Sequence, residues 1–249
     1  MRAEYKEWLQ EQKYAPNTIV AQMHRVGRVE ECYGSLDDHA RNGTLQGIID
    51  ESTYSANDER RNKPNPSKIP FEGNVRNNLQ AYKNATVRYR KFLTGWERSD
   101  SAPPLDAPPV ECIEIENDVS GEQLGRKLSL ERDMQAALRV NIGRLKSTLR
   151  IVDDGAERSV HSGLIDITCE DQKDGALIVV ELKAGKADSR AIGQILGYMG
   201  DLAEEEEGRV VKGILVAHEF DKRCKSAAKV VPTLSLMRYA VEFSFEAEG

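Results

Sequence analysis

The sequence predicts a chain in two folded parts, a mainly helical N-terminal domain over residues 1–98 and an α/β domain over residues 128–249 in which a mixed sheet is flanked by helices. Three observations carry that division. Apolar residues recur at helical spacing through much of the first part. Residues 99–127 hold Pro103-Pro104, Pro108-Pro109 and seven acids before Arg126 supplies the first base, the composition of an extended linker. Beyond it, short apolar runs alternate with helical stretches.

Taken in order, Tyr5, Trp8 and Leu9 sit at helical spacing within Glu4–Gln12. Pro16 disfavours helix at the residue before it, and Asn17 or Thr18 can cap a second helix carrying Ile19, Val20, Met23, Val26 and Val29, which makes a helical hairpin. Residues 52–74 are rich in Ser, Asn, Pro and charge and read as an exposed loop. Helical spacing returns from Val75 to Trp96, with Val75, Leu79, Tyr82, Tyr89, Phe92 and Leu93 as the apolar stripe. Between Arg76 and Arg98 six bases face one acid, Glu97. Arg88, Arg90 and Lys91 are therefore candidates to contact a phosphate backbone, against the alternative of a solvated helix face.

In the linker, Cys112, Ile113 and Ile115 could add a short strand. Ser129 can cap a helix running to about Gly143, with Leu130, Met134, Leu138 and Ile142 buried. Strand patterns follow at Leu149–Val152, Leu164–Thr168, Leu177–Leu182 and Val210–Ala217. A helix over about Ser189–Glu206 separates the last two, another begins near Asp221, and a last strand is expected at Met237–Phe245.

The net charge of −6 hides an asymmetry: residues 1–98 hold 16 bases and 13 acids, residues 99–249 hold 19 and 28. An acidic total disfavours a nucleic-acid partner, but the split leaves room for one. The four cysteines and four histidines are scattered without metal-ligand spacing, so reduced thiols are expected. No apolar run approaches the ~20 residues of a membrane span, and the first residues lack the apolar core of a signal peptide. The expectation is a cytoplasmic protein with no membrane partner.

The chemistry concentrates in two apolar runs, Gly163–Thr168 and Ala176–Lys183, separated by a polar turn containing Asp174-Gly175. Asp-Gly between apolar runs signals a hairpin. Folding about Lys173 and Asp174 pairs positions whose numbers sum to 347, which sets Asp166 across from Glu181 and Leu164 across from Lys183. Asp166, Glu181 and Lys183 then share one face, with Ile165, Ile167, Val180 and Leu182 on the other. Two adjacent carboxylates repel unless a cation lies between them. A divalent ion such as Mg²⁺ satisfies them, activates water and stabilises charge on a phosphate in flight, with Lys183 assisting. The alternative is a structural Glu-Lys pair at a strand end.

Asp166 with Glu181-Leu182-Lys183 after a hairpin resembles the PD-(D/E)XK nuclease superfamily, whose fold is the restriction-endonuclease-like sheet flanked by helices. More narrowly, residues 128–245 resemble the C-terminal domain of NucS-type endonucleases. The closer likeness rests on Leu130-Glu131-Arg132-Asp133, Gly163-Leu164-Ile165-Asp166, Val180-Glu181-Leu182-Lys183, the run from Gly193 to Met199 and the run from Gly213 to Phe220. The resemblance implies a Mg²⁺ (or Mn²⁺) dependent DNA endonuclease with Asp166, Glu181 and the Leu182 carbonyl as metal ligands and Lys183 as catalytic lysine. It adds Glu131 as a further acid near the metal, for which a helix-dipole role is the alternative. Gln194 is implied in contact with water or phosphate and Tyr198 as lining the cleft, while Lys186 and Arg190 could touch phosphates or be solvated. The chain departs from the family at Leu164, where Arg is usual, and in its helical N-terminus. There Trp8-Leu9 and Tyr14–Ile19 weakly resemble the core-binding domain of tyrosine recombinases, implying a DNA grip; a protein-interaction module is the alternative. DNA is the expected partner, and a homodimer is left open. The rival functions are an RNase, an end-specific nuclease and a catalytically idle nucleic-acid-binding protein.

Overall fold

Tyr5 and Leu9 lie one turn apart on the first helix, and both are wholly buried, which anchors the N-terminal part from its start. The structure is a computed structural model that describes residues 3–95 and 121–241. The strand expected within the linker and the end of the last expected strand lie outside the described residues.

The first part is helical: α1 (Ala3–Glu11), α2 (Pro16–Tyr33), α3 (Leu36–Arg41), α4 (Leu45–Glu51), α5 (Ala56–Arg60) and α6 (Val75–Thr94). Helix α2 opens two residues earlier than a cap at Asn17 predicts, and three earlier than one at Thr18. Ala15 is its N-cap, because Pro16 has its φ preset for the first helical turn and needs no N–H partner there. The segment expected to be an exposed loop contains α5, started by a reciprocal cap between Ser55 and Asp58, and the wholly buried Ile69. The stripe predicted on α6 packs as expected through Leu79, Tyr82 and Tyr89, with the Tyr5 ring edge-on to Tyr89 at 4.9 Å. Leu36, Leu45 and Ile48 bring α3 and α4 into the same core.

The second part is α/β. Helix α7 (Gly121–Val140) begins eight residues before the predicted cap at Ser129. Then come β1 (Leu149–Ile151), β2 (Arg158–Val160), β3 (Gly163–Ile165), β4 (Ile167–Asp171), β5 (Leu177–Ala187), α8 (Ser189–Glu205), β6 (Val211–Phe220), α9 (Lys222–Val230) and β7 (Leu234–Arg238). The main sheet has the order β1-β4-β5-β6-β7; β2 and β3 form a separate two-stranded sheet. Its pairings are antiparallel up to β5 and parallel from β5 to β7, so the sheet is mixed. The last strand therefore starts earlier than Met237.

Helices α8 and α9 each connect parallel neighbours, and both cover the same sheet face, as right-handed crossovers require. Ile195 and Leu202 of α8 and Cys224 of α9 meet Leu177, Val179, Leu215 and Ala217 there. The opposite face, with Ile178, Val180, Leu182 and Ile214, packs against Leu138 of α7.

Helix α6 joins the two parts. Its Asn84 Oδ1 accepts from Ser159 N–H at 2.9 Å, and Gln80 Nε2 donates to the Ser159 carbonyl at 3.2 Å, so two amides one turn apart serve a β2 residue as a neighbouring strand would. Val87 of α6 and Ile49 of α4 pack on Leu164 of β3. Ion pairs complete the junction: Arg76 with Glu206, Lys83 with Glu205, Arg60 with Glu207, Arg25 with Asp154 and Lys13 with Asp133.

Candidate active site

The hairpin register matches the sequence arithmetic: Ile167 pairs with Val180 and Cys169 with Ile178. The turn is wider than a two-residue one. Gly175, at φ 70°, donates to the Asp171 carbonyl, and Asp171 N–H donates to Ala176, which leaves residues 172–175 as the loop.

Asp166 departs from expectation. It sits at a bend between β3 and β4, outside either strand, so the predicted Leu164–Thr168 strand is broken and Leu164 pairs with Ser159 rather than facing Lys183. The break also moves Ile165 to the α8 side of the sheet, away from Ile167, Val180 and Leu182. The bend nevertheless turns the carboxylate onto β5: Asp166 Oδ2 accepts from the Leu182 N–H at 2.9 Å. Glu181 precedes that N–H and Lys183 follows it, with the ammonium 3.5 Å from Glu181 Oε1. Asp166 and Glu181 are wholly buried and Lys183 is 6% exposed.

Helix α7 braces this cluster with three side chains at successive i, i+4 positions, which share one helix face. Glu131 Oε1 accepts from Ala184 N–H at 2.9 Å. Gln135 and Arg139 both donate to the Asp166 carbonyl, at 2.8 and 2.6 Å. Arg139 also grips Asp153 through both nitrogens, and Asp153 in turn accepts from Thr168 N–H. Burial pushes the Asp153 carboxyl above its usual range despite that guanidinium. Glu131 lies ten residues inside α7, which rules out the helix-dipole account of it.

A bulge follows Lys183, where the pairing of β5 with β6 shifts register before Lys186. The extra residue leaves Ala184 to be held by side chains, with Glu131 on its N–H and the Tyr239 hydroxyl donating to its carbonyl at 2.5 Å. Bulges recur next to active sites because they re-aim the strand locally.

The remaining expected residues divide. Gln194 donates to the Tyr198 hydroxyl at 2.9 Å, but Tyr198 is buried against Gly163, where a Cβ would lie 2.9 Å from that hydroxyl. Gly163, at φ 147°, is thus required both by its backbone and by the ring. Lys186 and Arg190 are exposed, Lys186 lying 3.7 Å from Glu219. The α6 cations are a correction. Arg88, expected on a phosphate-facing surface, is 1% exposed. It donates to Gln22, Tyr14 and the Glu157 carbonyl and pairs with the Glu157 carboxylate. Burial works against its charge, yet Tyr14, Glu157 and Tyr5 hold its pKa above the ordinary value. Arg90 donates to Gln46 and, like Lys91, is only partly exposed. Sequence reasoning missed Gln135, Arg139 and Asp153; the polar stripe 131, 135, 139 was the available signal.

Among the described residues no group of three or more His, Cys, Asp or Glu side chains is placed to hold a metal ion. The donors on offer are two carboxylates and main-chain oxygens, the hard oxygen chemistry that suits Mg²⁺ or Mn²⁺ better than zinc. No described helix is long and apolar enough to cross a membrane.

Asp166, at the bend before β4, thus meets Glu181 and Lys183 of β5 at the centre of the mixed sheet, and comparison with known proteins gives the relationship. Residues 130–232 match the family described as the Endonuclease NucS C-terminal domain. Endonuclease NucS of Pyrococcus abyssi is 37% identical over 81 residues, which is 30% of this chain and 32% of that protein. Endonuclease NucS of Pyrococcus horikoshii is 42% identical over 69 residues, 28% of this chain and 26% of that one. The crystal structure of a repair endonuclease from Pyrococcus abyssi aligns with a TM-score of 0.38 at 25% identity, covering 51% of this chain and 49% of that one. The second part of the chain is thus related to NucS-type endonucleases, and the matched stretches span about a third or less of those curated relatives.

Proposed function

We propose that the protein is a metal-dependent endonuclease of the PD-(D/E)XK type that hydrolyses DNA phosphodiester bonds. The observation that carries the reading is the convergence of Asp166, Glu181 and Lys183 around the Leu182 N–H, fixed by the hairpin register. Asp166 and Glu181, with the Leu182 carbonyl, would hold Mg²⁺ or Mn²⁺; the bound ion would lower the pKa of a water and stabilise charge on the phosphate.

The chain's own residues set the stage for that chemistry. Gln135 and Arg139 hold the Asp166 main chain through its carbonyl and the Leu182 N–H holds its carboxylate, so the side chain stands against β5 already oriented. Glu131 and Tyr239 fix Ala184 and with it the direction of the Lys183 side chain. Lys183 supplies a positive charge to the carboxylate pair, and in a buried site that charge acts through a low dielectric on any phosphate brought to it. Gln194 is the α8 side chain available to position water or phosphate.

The second reading, an idle nucleic-acid-binding protein, draws on the same burial and on the Glu181–Lys183 pair, which a purely structural pair would also show. Cleavage decides between them. Purified protein is expected to cut one or more of single-stranded, duplex, mismatched and flap DNA with Mg²⁺ or Mn²⁺ and none after chelation. Glu181→Gln and Lys183→Ala should each reduce the rate by on the order of a hundredfold or more, with unfolding still cooperative. Wild-type protein inert with both metals on the whole panel and on RNA supports the idle reading, and cutting confined to RNA or to DNA ends supports one of the other rivals.

A further inference from the structure

We propose that the outer face of α9, continued by Lys186 and Arg190, is the surface that holds the DNA phosphate backbone; this rests on the endonuclease reading above. Helix α9 has the sequence Lys-Arg-Cys-Lys-Ser-Ala-Ala-Lys-Val, four cations and no acid. Lys222, Lys225 and Lys229 are spaced i, i+3 and i+7, so they form one stripe, and Arg223 flanks it. Cys224, Ala227 and Ala228 occupy the opposite side against the sheet, with the Cys224 thiol donating to the Asp188 carbonyl at 2.9 Å. The four cations are exposed, and among the described residues none of them is in an ion pair.

The stripe stands where the sheet delivers it. Strands β5 and β6 run parallel and end together at Ala187 and Phe220, and α8 and α9 start directly after them. Lys186, Arg190, Lys222 and Arg223 therefore gather at the carboxyl ends of parallel strands, the edge at which open α/β sheets bind ligands. Lys186 follows Lys183 by three residues, ~10 Å along the strand, so a backbone held here passes the carboxylate pair. Lys222 to Lys229 adds ~10 Å along the helix, about three nucleotide steps of one strand. The acids at this edge have other duties: Asp188 and Asp221 cap the first turns of α8 and α9, and Glu219 faces Lys186.

Helix stability does not account for these cations. Lys222 and Arg223 lie in the first turn, at the positive end of the helix dipole, where cations are unfavourable. A stripe kept only for solubility has no reason to begin there, whereas a polyanion outside the helix does favour it.

The test is binding by full-length protein to a mixed-sequence duplex DNA, followed by fluorescence anisotropy over a range of salt concentrations. The triple variant Lys222→Gln, Arg223→Gln, Lys225→Gln should raise Kd on the order of tenfold or more at low salt and lower the salt slope by about three, one unit per lost phosphate contact. Its Tm should equal or exceed that of the wild type, which shows that the loss is not unfolding. A control triple on the helical part, Lys6→Gln, Arg41→Gln, Lys68→Gln, removes the same charge and should keep the wild-type slope. Wild-type affinity and slope in the α9 triple, or equal losses in both triples, overturn the proposal while leaving the endonuclease reading in place. A wild-type protein that binds no duplex DNA overturns the proposal, and the cleavage panel decides the endonuclease reading separately.

Discussion

Helices α6 and α9 both carry cations and no acid, and folding puts those charges to opposite uses. On α6, Arg76, Lys83 and Arg88 are turned onto Glu206, Glu205 and Glu157 of the other part of the chain and are largely withdrawn from water. On α9, Lys222, Arg223, Lys225 and Lys229 lie opposite the face that packs and stay in solvent. The same local composition thus yields adhesive in one place and an open electrostatic surface in the other. The lesson concerns the junction between the parts: Lys13, Arg25, Arg60, Arg76, Lys83 and Arg88 of the helical part each pair with an acid of the α/β part, so cations that read as a binding surface in the sequence serve to join the two.

The comparison can be broken most severely at Arg88. Arg88→Met leaves Glu157 buried without its guanidinium and should cost about 3–5 kcal/mol in urea unfolding, whereas adding Glu157→Leu should recover most of that loss. A single variant with no effect would mean that α6 is less firmly seated than its contacts imply. A smaller effect is expected at Asn84→Ala, which removes the acceptor from the buried Ser159 N–H and should cost about 1–3 kcal/mol. The least perturbing measurement is amine labelling of the native protein read by mass spectrometry. Lys222, Lys225 and Lys229 should react on the order of tenfold faster than Lys83, which is 6% exposed; equal rates would erase the distinction between the two helices.

Much of the site was legible because its information is local. Asp174-Gly175 sets a turn, the turn sets a register, and the register brings the stretch that follows Asp166 alongside Glu181. The helices α8 and α9 were legible for the same reason, each announced by an aspartate that caps it. What escaped depends on distant partners. Strand β2 is three residues long and exists because β3 and α6 flank it. Ile165 changes sides because Asp166 bends the chain, and period-2 reasoning assumes no bend. Arg88 reads as a surface cation until Glu157, Gln22 and Tyr14, brought from three other segments, surround it. The stripe Glu131, Gln135, Arg139 was visible as spacing, but only the packed sheet reveals that it faces the Asp166 main chain.

The two amides that α6 lends to Ser159 have a consequence for how this molecule can be taken apart. They cover a strand edge, and an uncovered edge is a template for another chain. Cutting the chain after residue 98 would bare that edge together with the apolar Leu164 and leave Glu157, Glu205 and Glu206 without their opposing cations from the helices. A fragment made that way is expected to self-associate, because the helical part covers the surface on which it rests.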